Sequence, residues 1–118
     1  MKEKIILLAH GSSDTNWSNT FVRLTEPACA DNKHVALGFM ELSEPSLEDC
    51  IAAAKEEGFT HVSVLPLFLA KGRHLKKDVP GMLKEYETKY SISSVLLPPI
   101  GEHPRLADAL CDIIEETI

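Results

Sequence analysis

The chain has no apolar run long enough to cross a bilayer, which takes about 18 residues. Its first such run, Ile5-Ile6-Leu7-Leu8-Ala9, stops at His10, and no small-residue cleavage site follows it. Neither a membrane span nor a secretory leader is therefore expected. There is no C-x-x-C pair. The cysteines are Cys29, Cys50 and Cys111, odd in number and far apart. They are expected to be small buried apolar groups in a reducing compartment, the cytoplasm. The phosphate-cradling patterns G-x-x-x-x-G-K-[ST] and G-x-G-x-x-G are missing, which weakens any nucleotide-binding reading. No G-x-S-x-G elbow is present, which weakens a serine hydrolase. No acidic pair follows the first apolar run, as a phospho-accepting receiver domain would need. The net charge of −6 argues against a general nucleic-acid binder, which presents a basic face.

What is present is an alternation of two hydrophobic periods over 118 residues, enough for one domain with a real core. Short apolar runs at Lys4–Ala9, Val35–Glu41, Thr60–Leu69 and Ser91–Leu97 predict strands. Helical spacing predicts helices over Asp14–Asp31, where Pro27 should end or kink the helix, and from Leu47 up to Gly58 after the start signal Ser43-Glu44-Pro45-Ser46. Two further helices are expected. One covers His74–Tyr90, with Pro80 in its first turns or dividing it. The other covers Pro104–Thr117, with Leu106, Leu110, Ile113 and Ile114 facing inward. Strictly alternating strands and helices imply a three-layer α/β domain spanning residues 1–118: a four-stranded parallel sheet, helices on both faces, and a flavodoxin-like order with the first strand interior.

In such a sheet, position separates the histidines. His34 and His61 precede or open strands and belong at the amino-terminal edge, away from any ligand. His10, His74 and His103 follow strands, and Glu41 ends one, so all four belong at the carboxyl edge where ligands bind. Two imidazoles, His10 and His74, with the Glu41 carboxylate match a divalent transition-metal site that keeps coordination positions open. His103, just before Pro104, has the plainer reading of a helix-start neighbour. Ser12 in the loop after His10 could hold an anion. Lys71, Arg73, Lys76 and Lys77 crowd around His74, and Arg105 follows the last loop. They form either a solvated helix face or a local anion site on an otherwise acidic protein.

Four stretches give these residues a familiar setting: Leu8-Ala9-His10-Gly11-Ser12, Gly38–Ser46, Leu65–Pro80 and Pro98–Leu106. In this order, and spanning nearly the whole chain, they resemble the small single-domain sirohydrochlorin chelatases of the short CbiX type. One departure stands out. Ser13 replaces a basic residue usual in the family and Thr15 a common proline, while Asp14 remains.

The resemblance implies a chelatase-like half domain that inserts Co²⁺, with Fe²⁺ or Ni²⁺ as alternatives, into sirohydrochlorin for cobalamin or sirohaem synthesis. The metal is a substrate, and no organic cofactor is implied. His10 and His74 would hold the metal or take the pyrrole protons, and Glu41 would assist. The polycarboxylate macrocycle would be held by Ser12, Lys71, Arg73, Lys76, Lys77, His103 and Arg105, with Leu65–Leu69, Met40 and Pro98–Pro99 as a possible apolar floor. A homodimer is implied, with no nucleic acid or membrane partner. The altered loop at Ser13 and Thr15 keeps a second reading open, a non-catalytic module that carries metal or tetrapyrrole on the same fold.

Overall fold

The structure, a computed structural model, describes residues 3–118, with the side chain of His74 outside the description. Strand β1 (Glu3–Ala9) is central. It pairs in parallel with β2 (Val35–Phe39) on one side and β3 (His61–Pro66) on the other, and β4 (Ser93–Leu96) closes the order β2-β1-β3-β4. This is the expected flavodoxin-like order. Its switch point, where successive connections leave in opposite directions, lies between β1 and β3.

The even-numbered strand residues build the core. Ile6, Leu8, Val62 and Val64 are fully buried against α2 (Leu47–Glu56) and α3 (Val79–Tyr90), where Leu47, Ile51, Ala54, Val79 and Leu83 meet them. Helix α2 starts as its sequence dictates. The Ser46 hydroxyl accepts from the Asp49 N–H at 3.0 Å, and the Asp49 carboxylate accepts from the Ser46 N–H at 3.1 Å. This reciprocal box satisfies two otherwise unpaired donors. In the same first turn of α2, the Glu48 carboxylate accepts from Lys89 Nζ at 2.6 Å and from the Tyr90 hydroxyl at 2.7 Å, tying the start of α2 to the end of α3.

The opposite face is covered less completely. Helix α1 (Thr15–Cys29) lies over β2, with Thr25 its one buried residue, and Pro27 sits in its last turn just before it ends. Helix α4 (Pro104–Thr117) touches the body mainly through the short 3-10 turn Ile100–Glu102. Here the sequence expectation fails. Leu106 is half-buried, but Leu110, Ile113 and Ile114 are each more than half exposed, so the apolar stripe of α4 faces out of this chain. Ile5 and Val95, on the same sheet face, are also exposed. The cysteine expectation needs correcting too. Only Cys50 is buried; Cys29 is half-buried and Cys111 is exposed. Burial pushes the Cys50 thiol up to about 11.

Among the described residues no helix is long and apolar enough to cross a membrane.

Candidate active site

The carboxyl edge is assembled from loops that lock onto one another in pairs. Strand β2 ends at Phe39, before Glu41, because the chain turns there: the Phe39 N–H bonds the Pro45 carbonyl at 2.9 Å, and the Met40 N–H bonds Ala9 at 2.9 Å. Glu41 therefore lies in a turn beside β1 rather than on a strand, and its side chain is exposed. Gly11, with φ +95°, fits against this turn so closely that a β-carbon there would stand 1.8 Å from the Glu41 carbonyl oxygen. Ser43 completes the junction. Its hydroxyl donates to the Ser12 carbonyl at 2.8 Å, accepts from the Ser12 N–H at 3.1 Å, and lies 2.8 Å from the Ser18 hydroxyl of α1. The loop carrying His10 and the turn carrying Glu41 are thus one unit.

The second pair follows β3 and β4. Gly101 fits against Leu69, where a β-carbon would fall 1.7 Å from the Leu69 carbonyl oxygen, and its N–H bonds the Phe68 carbonyl at 3.0 Å. Between the pairs, at the switch point, the half-buried His10 ring packs on Phe68 with centroids 5.8 Å apart and planes tilted by 45°. The aromatic contact fixes the imidazole in the crevice between β1 and β3.

Past Phe68 the chain runs through exposed Lys71 and Arg73 into a π-helical turn, His74–Asp78. Such turns are rare and concentrate at functional sites. This one is anchored by Leu75 and Val79, both in the core, so Lys76 and Lys77 are held outward. Pro80 falls in the first turn of α3, where its missing N–H costs nothing. Lys71 and Lys76 line one side of a 190 Å³ cavity whose other wall is Leu96, Leu97, Pro98 and Pro99. His74 opens this turn, and its side chain lies outside the described residues.

The remaining sequence candidates divide. His103 is the N-cap of α4: its Nδ1 accepts from the Arg105 N–H at 3.1 Å. It also lines a 330 Å³ cavity with Leu65, Pro98 and Pro99. Ser12 Oγ accepts from the Asp14 N–H at 3.0 Å, shaping the loop ahead of α1. Arg105 is exposed beside His103. Of the expected apolar floor, Met40 and Phe68 pack on the core, Leu65 is half-buried and Leu69 is exposed. His34 and His61 lie at the amino-terminal edge as expected. His34 Nδ1 is 3.3 Å from the Glu3 carbonyl, and His61 bridges Ser93 at 2.8 Å and the Glu3 carboxylate at 3.9 Å. Among the described residues no three His, Cys, Asp or Glu side chains cluster as a metal cage. Sequence reasoning missed Ser43 as a junction residue. It was visible only as part of a helix-start signal.

Known proteins are similar to this chain over nearly its whole length. The chain is 31% identical to the sirohydrochlorin cobaltochelatase of Sulfolobus acidocaldarius, over 97% of this chain and 91% of that protein. The crystal structure of a cobalamin (vitamin B12) biosynthesis CbiX protein from Marinobacter aquaeolei superposes with a TM-score of 0.91 at 46% identity, covering 98% of this chain and 96% of that one. The sirohydrochlorin chelatase SirB of Bacillus subtilis, in complex with cobalt, superposes at 0.83 and 28% identity, covering 98% of this chain but 51% of that one. The family model for CbiX matches residues 4–117, and the chain belongs to that family.

Proposed function

We propose that this chain is a tetrapyrrole chelatase that inserts a divalent metal, Co²⁺ before Fe²⁺ or Ni²⁺, into sirohydrochlorin on the route to cobalamin or sirohaem. The observation that carries the reading is the switch-point crevice, where His10 is held against Phe68 in a chain similar from end to end to cobaltochelatases. Cobalt is favoured by the name of the Sulfolobus relative and by the cobalt complex of SirB.

The chemistry suits the residues. Metal insertion releases two pyrrole N–H protons for each divalent ion that enters. A base must stand within hydrogen-bond reach as they leave, and neutral imidazole serves near pH 7. In this reading His10 and His74 present the metal and receive the protons. Two nitrogen donors leave faces open for the four incoming ones, whereas a closed cage would retain the ion. Glu41, fixed to the His10 loop through Gly11, takes protons onward or orients the metal. Lys71, Arg73, Lys76, Lys77 and Arg105 form the cationic rim that draws a polycarboxylate onto a protein of net charge −6. Ser12 and the outer nitrogen of His103 add hydrogen bonds at its edge.

The active form in this reading is a homodimer. Two observations support it: the outward apolar stripe of α4, and a SirB chain about twice as long as the matched domain. A reducing compartment, the cytoplasm, suits three cysteines that are all free thiols.

The test is to incubate the protein with sirohydrochlorin and Co²⁺ and follow the visible absorption of the macrocycle. Insertion faster than in the metal-only control is expected. A rate equal to that control removes the enzymatic reading and leaves the carrier module.

A further inference from the structure

Leu42 occupies a conformation that leucine disfavours and gains nothing from it within this chain. Its φ is +63°, in the left-handed region, where a β-carbon crowds the backbone and glycine or asparagine is the usual occupant. Its side chain is 69% exposed, so burial does not offset the strain. Such residues persist only where their surroundings over-determine them. Here they do: Met40 is bonded to Ala9, the Glu41 carbonyl is wedged against Gly11, and Ser43 is bonded to both backbone groups of Ser12. The fixed ends leave residue 42 one backbone shape, with an apolar side chain held out to solvent beside the His10 loop.

A second exposed leucine stands at the same edge of the sheet. Leu69, 76% exposed, is fixed from the other side of the crevice by the Gly101 contact. Both loops are tied to their neighbours through the backbone, so each leucine is presented by a rigid support. Rigid apolar groups at the carboxyl edge of the sheet suit a flat, largely apolar ligand with a charged rim. The basic residues 71–77 would meet that rim.

We propose that Leu42 is a substrate-contacting residue that packs on the face of the tetrapyrrole and sets its position relative to His10. The inference rests on the chelatase reading above and adds a contact that neither composition nor motif reveals.

The test compares the wild-type protein with Leu42→Gly and Leu42→Asn. Three quantities are measured: the affinity for metal-free sirohydrochlorin by absorption titration, the KM and kcat with Co²⁺, and the thermal midpoint with the oligomeric state by sedimentation. Removing the strain while losing the contact gives opposed effects. The thermal midpoint should hold or rise in both variants, while KM and the dissociation constant for sirohydrochlorin rise by about tenfold, as expected for losing a buried leucine contact. Unchanged sirohydrochlorin affinity in both variants, with a wild type that binds, overturns the inference and leaves the chelatase reading standing. A lowered thermal midpoint, or a dimer that dissociates, overturns it in favour of a structural or intersubunit contact. A wild type that neither binds nor metallates sirohydrochlorin removes both readings together.

Discussion

Gly11 and Glu41 meet backbone to backbone, so closely that no side chain fits between them: a β-carbon on Gly11 would lie 1.8 Å from the Glu41 carbonyl oxygen. Gly11 also needs φ +95°, which L-residues with a β-carbon rarely adopt. Gly11→Ala should therefore push the two loops apart and move His10 relative to the crevice. Displacements of about 1 Å in a catalytic group cost about 100-fold in rate. We expect a loss of that order in kcat/KM for Co²⁺ insertion, with far-ultraviolet circular dichroism unchanged because the strands end before this junction.

The ion pair between α2 and α3 gives stability a pH dependence of known sign. Hydrogen bonds from Lys89 and then Tyr90 hold the Glu48 carboxyl below its ordinary value of 4.5. A carboxyl depressed by folding contributes stability that is fully present above its unfolded pKa and is lost as pH falls through the folded one. Glu48→Gln should lower the thermal midpoint at pH 7 and matter progressively less below pH 4.5. Melting curves of both proteins across pH 2.5 to 7 check this. A gap that stays constant through the acid range would show that packing, not charge, is what the substitution removes.

Thiol chemistry separates the cysteines by burial. With its thiol pushed up to about 11, Cys50 is only about one part in a thousand thiolate at pH 8, and it is sealed in the core. A β-carbon on neighbouring Gly38 would already come within 2.9 Å of its sulfur. An aromatic disulfide reagent should label exposed Cys111 first and reach Cys50 only when the protein unfolds. Fast labelling of Cys50 in the native protein would mean that α2 opens from β2.

Most of what made these expectations possible was legible in the residues. The short apolar runs and the Ser43–Ser46 start signal placed β1 and α2 nearly to the residue, because local chemistry sets those boundaries, whereas β3, expected to run to Leu69, ends at Pro66. Strand-end logic put His34 and His61 at one edge of the sheet and His10 and His103 at the other. Two features escaped. The Ser43–Ser12 and Gly11–Glu41 contacts join segments about 30 residues apart, and no local pattern encodes which loops meet. The periodicity of α4 correctly marked an apolar stripe, but a stripe does not say what it faces. Leu110, Ile113 and Ile114 were expected inward and are exposed.

The cationic rim should act through the substrate's charge. Lys76 and Lys77 are held outward by the buried anchors Leu75 and Val79, so replacing both with glutamate should leave the fold intact. Attraction between exposed charges is screened beyond a Debye length of about 8 Å at physiological salt. The wild-type KM for sirohydrochlorin should therefore rise with ionic strength. The Lys76→Glu, Lys77→Glu double variant should start from a higher KM and lose most of that salt dependence, with kcat changed little. Equal salt slopes in the two proteins would return these lysines to a solvated helix face.

The stripe on α4 supplies the most direct test of the assembled form. In a two-fold dimer each residue of the interface occurs twice, once from each copy. Burying an isoleucine contributes about 1.5–3 kcal/mol, so losing Ile113 at both copies should cost about 3–6 kcal/mol of association, or about 150- to 20,000-fold in the dimer dissociation constant. Ile113→Glu adds a carboxylate on a helix that already carries Asp108, Asp112, Glu115 and Glu116, which places the effect at the upper end. Because Ile113 is exposed and absent from the core of a single copy, the variant should remain folded as a monomer. Sedimentation over a range of concentrations should show the wild type as a dimer and Ile113→Glu as a monomer with wild-type circular dichroism. A wild type that sediments as a monomer at every concentration would leave α4 without a partner copy and the homodimer reading without its structural support.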